Sequence, residues 1–497
     1  MKRLIKAIWS TQGAILAVGV VATLFVAPFA AQQPPELIIR NGLVVTSNGR
    51  TQADVRIRNG VIAEIGPNLQ AAAGARQIDA KDKLVLPGGV DPHVHLINGP
   101  GIGEHDGADD YTSGSASALA GGTTTLGNMI TPQPNEELPA VYDRAAAVAR
   151  KQTVADVFFH IIINDVKKAT PQALTQLAEK GSPDIKIFMS GQGGFDQNGP
   201  DFLNAIRSAG AAGLLTLMHC DDSAITNTTK DRMLAEGRGD IKYYPESSPI
   251  LAEETAAYRA VAMAEATGSP IYLVHISGER PLHVAEGAQA RGIPVYVETR
   301  ILYLYLTRER FNEPNPGIYT GYPPLRDKND KDALWDGIAK GSVHVVATDS
   351  LAGSRAYKTD PAMNIRNSRN GAGYSQDNLP LLYSEGVRTG KITLEKFVAV
   401  TSTNAAKLFG LYPRKGTIAV GSDGDIAIWD PNLKRTIRDE DELSNAKFSV
   451  FAGWEVTGWP ITTIRRGEVV YQNGKILAEA GSGQVLKRQA WQKPILQ

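Results

Sequence analysis

Apolar residues along this 497-residue chain fall into runs of strand length separated by stretches of helical length. The runs at 84–88, 123–129, 157–163, 185–189, 214–219, 271–275, 295–298 and 343–349 are rich in Val, Ile and Leu, as strands buried on both faces are. Stretches such as 137–151, 171–180 and 252–267 read as helices, at the spacing of βα units. Eight such strands predict a (β/α)8 barrel over 84–408. The two ends read differently. Apolar-rich strands at 37–45, 53–65, 425–429, 461–464 and 468–471 are punctuated by Asn41-Gly42, Asn59-Gly60 and Asn473-Gly474, dipeptides that mark hairpin turns. The economical arrangement is an α/β chain in which 36–83 and 409–480 build one small β-sandwich, with the barrel inserted between them and a tail over 481–497. The interval from 219 to 271 exceeds what one βα unit needs, which predicts a loop around 226–248 over the barrel mouth.

Composition adds limits. A hydrophobic content of 42% and 21% charged residues suit a globular enzyme, and a formal net charge of zero argues against a nucleic-acid partner. Lys2, Arg3 and Lys6 precede an uncharged stretch over 14–31. That order predicts a secretory signal over 1–31 or, because the run is long for one, an uncleaved membrane anchor. Export to the periplasm or the medium is expected either way. Cys220 is the single cysteine, so no intrachain disulfide forms, and its place after His219 reads as a small buried residue rather than a ligand.

The chemistry lies where the runs end. His93 and His95 follow 84–88, Lys186 sits inside 185–189, and His219, His275 and Asp349 each close a run. Imidazoles and carboxylates at the C-terminal ends of barrel strands are what a metal site on a barrel rim requires. Two histidines two positions apart on a strand share a face and can grip one ion. An ammonium has no lone pair for a cation, yet apolar neighbours at Ile185, Ile187 and Phe188 favour a neutral amine.

This ordered set resembles that of the binuclear amidohydrolase superfamily. Asp109-Asp110-Tyr111, Ala120-Gly121-Gly122-Thr123-Thr124, Pro323-Pro324-Leu325-Arg326 and Ser402-Thr403-Asn404-Ala405-Ala406 narrow it to the dihydropyrimidinase and hydantoinase family, over nearly the whole chain after residue 31. The resemblance implies two divalent metal ions, zinc being the usual choice. A carbon dioxide-derived carbamate on Lys186 would bridge them, with His93, His95, Lys186 and Asp349 on one ion and Lys186, His219 and His275 on the other. It further implies a metal-bridging hydroxide that attacks a small cyclic amide, Asp349 as the catalytic proton shuttle, and a homo-oligomer, commonly a tetramer.

Three positions depart from the family pattern. Gly191 stands where a tyrosine usually donates to the tetrahedral oxyanion, a loss worth about 100- to 1000-fold in rate. Ser350 stands where a histidine is common. Tyr322 occupies a position that is often serine, whose backbone carbonyl would accept from the substrate ring. Asn370 does match an asparagine whose backbone contacts the ring amide. The leading expectation is opening of a dihydropyrimidine, hydantoin or related imide. Hydrolysis of an allantoin-like or N-acyl amino acid amide is the alternative, and a non-catalytic scaffold the third. His105, His160, His283 and His344 are expected to be structural, Tyr303 and Tyr305 to pack near the seventh βα unit, and Glu298 to face the site or support it.

Overall fold

The computed structural model describes residues 36–96, 106–190 and 199–496. The expected signal or anchor, His105 and Gly191 lie outside them. The chain opens with β1 (Leu37–Thr46), β2 (Gly49–Arg58), β3 (Val61–Gly66), β4 (Arg76–Asp79) and β5 (Leu84–Pro87). Next come β6 (Gly89–Val94), β7 (Thr123–Ile130), β8 (Asp156–Ile162), β9 (Asp184–Phe188), β10 (Leu215–His219), β11 (Ile271–Leu273), β12 (Val295–Arg300) and β13 (Val345–Ala347). The last four are β14 (Ile426–Thr436), β15 (Glu455–Arg465), β16 (Glu468–Gln472) and β17 (Lys475–Ile476).

Strands β6 to β13 form an eight-stranded parallel sheet in chain order. It closes through a bridge between Val94 and Ser350, with the His95 amide donating to the Ser350 carbonyl at 2.8 Å. Helices cross over between strands, among them Leu138–Gln152, Pro171–Glu179 and Ile250–Thr267, close to the expected bounds. The interior packs Val90, Phe158, Ile162, Leu215, Leu217, Tyr272 and Val345. Phe409 stops its lower end, edge-on to His160 and Tyr272.

Both chain ends contribute to a separate nine-stranded mixed sheet in which β5 lies between β1 and β14. That sheet folds back on itself. The β2–β3 turn hydrogen-bonds to the segment before β14 (Gly424 N–H to Gly60 O, 2.7 Å), although β5 and β1 separate the two regions in the ladder. The enclosed apolar side chains come from both ends, Ile39, Val55 and Ile57 packing with Ile426, Ile428 and Ile464.

Three expectations need correction. The run 84–88 is not the first barrel strand: its hydrogen bonds go to β1 and β14, and the barrel begins at Gly89. An apolar run shows burial but not which sheet it joins. Asn41-Gly42 is no hairpin turn but a bulge inside β1, with Asn41 left-handed at φ +57° and glycine required at 42 because a Cβ there would lie 2.3 Å from Val85 Cγ2. The stretch 226–248 is largely helical, with helices Ser223–Ala235 and Tyr244–Ser247 at the mouth. The tail packs on its own barrel. Val485 bridges Val157, Arg488 pairs with Asp184, and the Trp491 amide donates to Gly213 O.

Candidate metal centre

Strand alternation delivers most of the site. On β10, Leu215 and Leu217 point into the barrel, and His219 continues that series at the strand end. On β13, Val345 and Ala347 do the same, and Asp349 follows in phase. His275 breaks the rule. Tyr272 and Val274 face inward, so alternation would send His275 out; β11 has already ended, and a φ of +41° turns the ring back to the centre. Asp349 is also left-handed, at φ +51°. Such strained residues cluster at functional sites because the surrounding packing dictates them.

His93, His95 and Asp349 present ligand atoms all within 4.8 Å of one another. Asp349 Oδ1 lies 3.1 Å from Nε2 of both His93 and His95. On the far side, His93 Nδ1 donates to Glu298 Oε1 at 2.7 Å. That bond fixes the tautomer and leaves the Nε2 lone pair facing the centre. Glu298 also accepts from the His275 amide (3.0 Å) and the Tyr272 hydroxyl (2.9 Å), so one buried carboxylate orients three elements. Asp91 accepts from the His93 amide, the Thr348 amide and the Thr348 hydroxyl, tying β6 to β13 beneath the site.

His219 Nδ1 and His275 Nε2 face each other across 2.9 Å. Two nitrogens on one tetrahedral ion, at bonds of about 2.0–2.1 Å, would lie about 3.3 Å apart, so this spacing is close to that of shared ligands. The His275 ring is also 5.6 Å from that of His93, which joins the two groups into one cluster. Burial holds His95, His219 and His275 below the ordinary imidazole range, so their lone pairs are free for a cation. Burial pushes Asp349 up, but His93, His95 and Arg300 outweigh it and hold the carboxylate well below its usual range.

Lys186 sits among these groups with its Nζ buried and without a hydrogen-bond partner. The Phe188 ring centroid lies 5.2 Å from it. Burial lowers its pKa to about 8 against the pull of Glu298 and Asp349. Outward-facing His219 Nε2 and His275 Nδ1 are likewise unpartnered. Buried polar atoms are rarely left unpaired, so a partnerless amine among neutral imidazoles and a carboxylate fits a carbamate and divalent ions. A second acidic cluster, Asp156, Asp423 and Asp425, does not fit an ion. The Lys415 ammonium already occupies it, at 2.7, 3.0 and 2.6 Å from the three carboxylates.

The expected substrate residues lie at the mouth. The Tyr322 ring stacks on His219, with centroids 5.3 Å apart and planes at 10°, and its hydroxyl donates to Asp221. Asn370 Oδ1 accepts from the Tyr244 hydroxyl at 2.7 Å. The sequence reading missed Arg300, whose Nη1 donates to Asp349 Oδ2 at 2.7 Å and whose Nη2 reaches Tyr303 Oη and Pro323 O. Its signal was present: Arg300 is two positions after Glu298 on β12, hence on the same face. Asp221 and Lys358 were also missed, having no motif to mark them. Cys220 is buried, while His160 pairs with Asp184 and His344 accepts from the Val297 amide, as structural residues do.

Comparison with known proteins agrees with this geometry. The amidohydrolase family profile matches residues 84–470. The chain is 32% identical to a D-phenylhydantoinase of Escherichia coli O1:K1, over 93% of this chain and 100% of the relative, and 32% identical to a D-hydantoinase of Ralstonia pickettii, over 92% and 100%. Among solved structures, the dihydropyrimidinase of Brevibacillus agri NCHU1002 superposes with a TM-score of 0.88 at 33% identity, covering 92% of this chain and 100% of that one. The L-hydantoinase of Arthrobacter aurescens gives 0.85 at 28% identity, covering 91% and 99%. With a family profile spanning most of its length and relatives matched end to end, this chain belongs to the amidohydrolase family.

Proposed function

We propose that this chain is a metal-dependent hydrolase that opens cyclic amides of the dihydropyrimidine, hydantoin or related imide class. The observation that carries the reading is the partnerless buried Lys186 Nζ among four neutral-capable imidazoles and Asp349. In this reading His93, His95, carboxylated Lys186 and Asp349 hold one divalent ion, and Lys186, His219 and His275 hold a second; imidazole and carboxylate donors suit zinc and also accept manganese, cobalt or iron. When bound, such ions supply Lewis-acid polarisation of the amide carbonyl and a water of near-neutral pKa.

The chain's own residues do the rest. Glu298 keeps the His93 lone pair aimed at the centre, and Arg300 holds the outer oxygen of Asp349. Asp349, adjoining both histidines, takes a proton from the attacking water and passes it to the leaving nitrogen. Tyr322 does not supply the oxyanion donor missing at Gly191, because its one hydroxyl proton goes to Asp221. The substituted position argues for a ring other than unsubstituted hydantoin or dihydrouracil. The basic and then apolar start of the chain supports a site of action outside the cytoplasm.

A kinetic panel tests the reading. The purified, metal-loaded protein should open at least one substituted cyclic amide with kcat/KM of about 10⁴ M⁻¹s⁻¹ or better, and unsubstituted dihydrouracil or hydantoin more slowly. Turnover confined to allantoin or N-acyl amino acids would overturn it.

A further inference from the structure

The barrel mouth carries several buried cations, and most are committed. Arg300 is held by Asp349 and Tyr303. Arg326 pairs with Glu253 at 3.1 Å and donates to Ser277. Lys358 is enclosed by Thr320 O and Oγ1, Arg369 O and Gly371 O, at 2.5 to 2.9 Å. Lys230 differs. It lies on helix Ser223–Ala235, only 7% exposed, and among the described residues no carboxylate comes within ion-pairing distance of its Nζ. Its Nζ lies over the Tyr322 ring, 5.5 Å from the centroid.

That ring connects the amine to the reaction site. Tyr322 lies parallel to His219, so Lys230 Nζ is at most about 11 Å from the centre of a proposed metal-ligand ring. The nearby carboxylate, Asp221, is occupied by neutral donors: the Tyr322 hydroxyl, Thr226 Oγ1 at 3.0 Å and Ser248 Oγ at 3.3 Å. The adjacent Asp231 pairs with Arg366. A buried ammonium without an anionic partner is unfavourable, and a cation–π contact offsets only part of that. A ligand bringing its own carboxylate to this point would complete the pairing.

We propose that Lys230 is a specificity-determining residue that binds a carboxylate on the substrate's ring substituent, an inference that rests on the cyclic-amide reading above. The substrate class is then a cyclic amide with a short carboxyalkyl arm: the ring amide sits at the metal centre, and the arm reaches past the edge of Tyr322 to Nζ. Burial lowers the Lys230 pKa while Asp221 pulls it up.

The test compares 5-(2-carboxyethyl)hydantoin with its carboxamide, a neutral analogue of nearly the same shape. The wild-type enzyme should favour the acid at least tenfold in kcat/KM, chiefly through KM, and that preference should shrink as salt is raised. Lys230→Met should bring the acid-to-amide ratio close to one, while Lys230→Arg should retain it. Equal wild-type turnover of the two compounds, or a ratio that Lys230→Met leaves intact, would overturn the proposal. The wild-type ratio decides the matter even if the variant fails to fold. If neither ring is opened, nor any other cyclic amide, the cyclic-amide reading itself has failed; if both are opened equally, only the assignment of Lys230 has.

Discussion

Arg300 and Asp349 divide one carboxylate between two tasks: Nη1 of the arginine holds Oδ2 at 2.7 Å, while Oδ1 lies 3.1 Å from the Nε2 atoms of His93 and His95. One oxygen is anchored and the other faces the centre. Asp349→Asn keeps the shape but cannot carry a proton, so kcat should fall by at least about 10²- to 10⁴-fold with the melting temperature nearly unchanged. Arg300→Met should lower kcat by up to about 10²-fold through loss of alignment. Near-normal turnover by Asp349→Asn would remove Asp349 from the proton path.

Lys186 is the second test. Its Nζ has no hydrogen-bond partner, and burial brings its pKa to about 8. Lys186→Ala should lose most bound metal and activity, and small carboxylic acids should restore part of both by supplying the missing oxygens. Mass spectrometry of the intact, gently handled protein should show the added carbon dioxide. Full metal occupancy beside an unmodified ammonium would contradict the assignment.

How far the sequence reached follows from what each signal encodes. Barrel strands buried on both faces are continuous apolar runs, so seven of the eight expected runs hold barrel strands. The eighth, 84–88, is equally apolar because it too is buried, between β1 and β14. Hydrophobicity reports burial and not partnership, which depends on residues hundreds of positions away. The same distinction separates the candidate ligands from their supports. His219, His275 and Asp349 end their runs, His93 and His95 follow one, and all five can be recognised by type and place. Arg300, Asp91 and Asp221 are recognisable only once the strands meet, and Lys358 only once four oxygens from Thr320, Arg369 and Gly371 surround it.

That enclosure makes Lys358 a third test. Its ammonium joins Thr320, two residues before Tyr322, to Arg369 and Gly371, on either side of Asn370. Lys358→Met takes the donor from the Gly371 carbonyl, while the Thr320 and Arg369 carbonyls keep the Gly371 amide and the Thr320 hydroxyl, and should lower stability by about 1–3 kcal/mol. KM should rise more than kcat falls, because the loosened segments carry substrate contacts rather than metal ligands. A variant of wild-type KM would show that these segments hold their places without it.

Glu442 and Asp377 give a pH dependence whose sign can be worked out. Both are buried, and burial together with the Asp377 carboxylate raises the Glu442 pKa above 4.5. A shared proton provides the hydrogen bond that two carboxylates cannot form. Above the unfolded-state pKa the folded protein therefore binds more protons than the unfolded chain, so this pair costs increasing stability as pH rises. Glu442→Gln should be more stable than wild type at pH 8 to 9 and the difference should narrow toward pH 5. Parallel stability curves for the two proteins across that range would contradict it.

The most direct measurement is metal reconstitution of chelated protein, followed by ring opening of the best cyclic amide. Chelation should abolish turnover, and added divalent ion should restore it to a plateau at two equivalents per chain. Undiminished ring opening by metal-free protein, or two tightly held ions with no cyclic amide opened, would contradict the assignment of His93, His95, Lys186, His219, His275 and Asp349 as a hydrolytic metal centre.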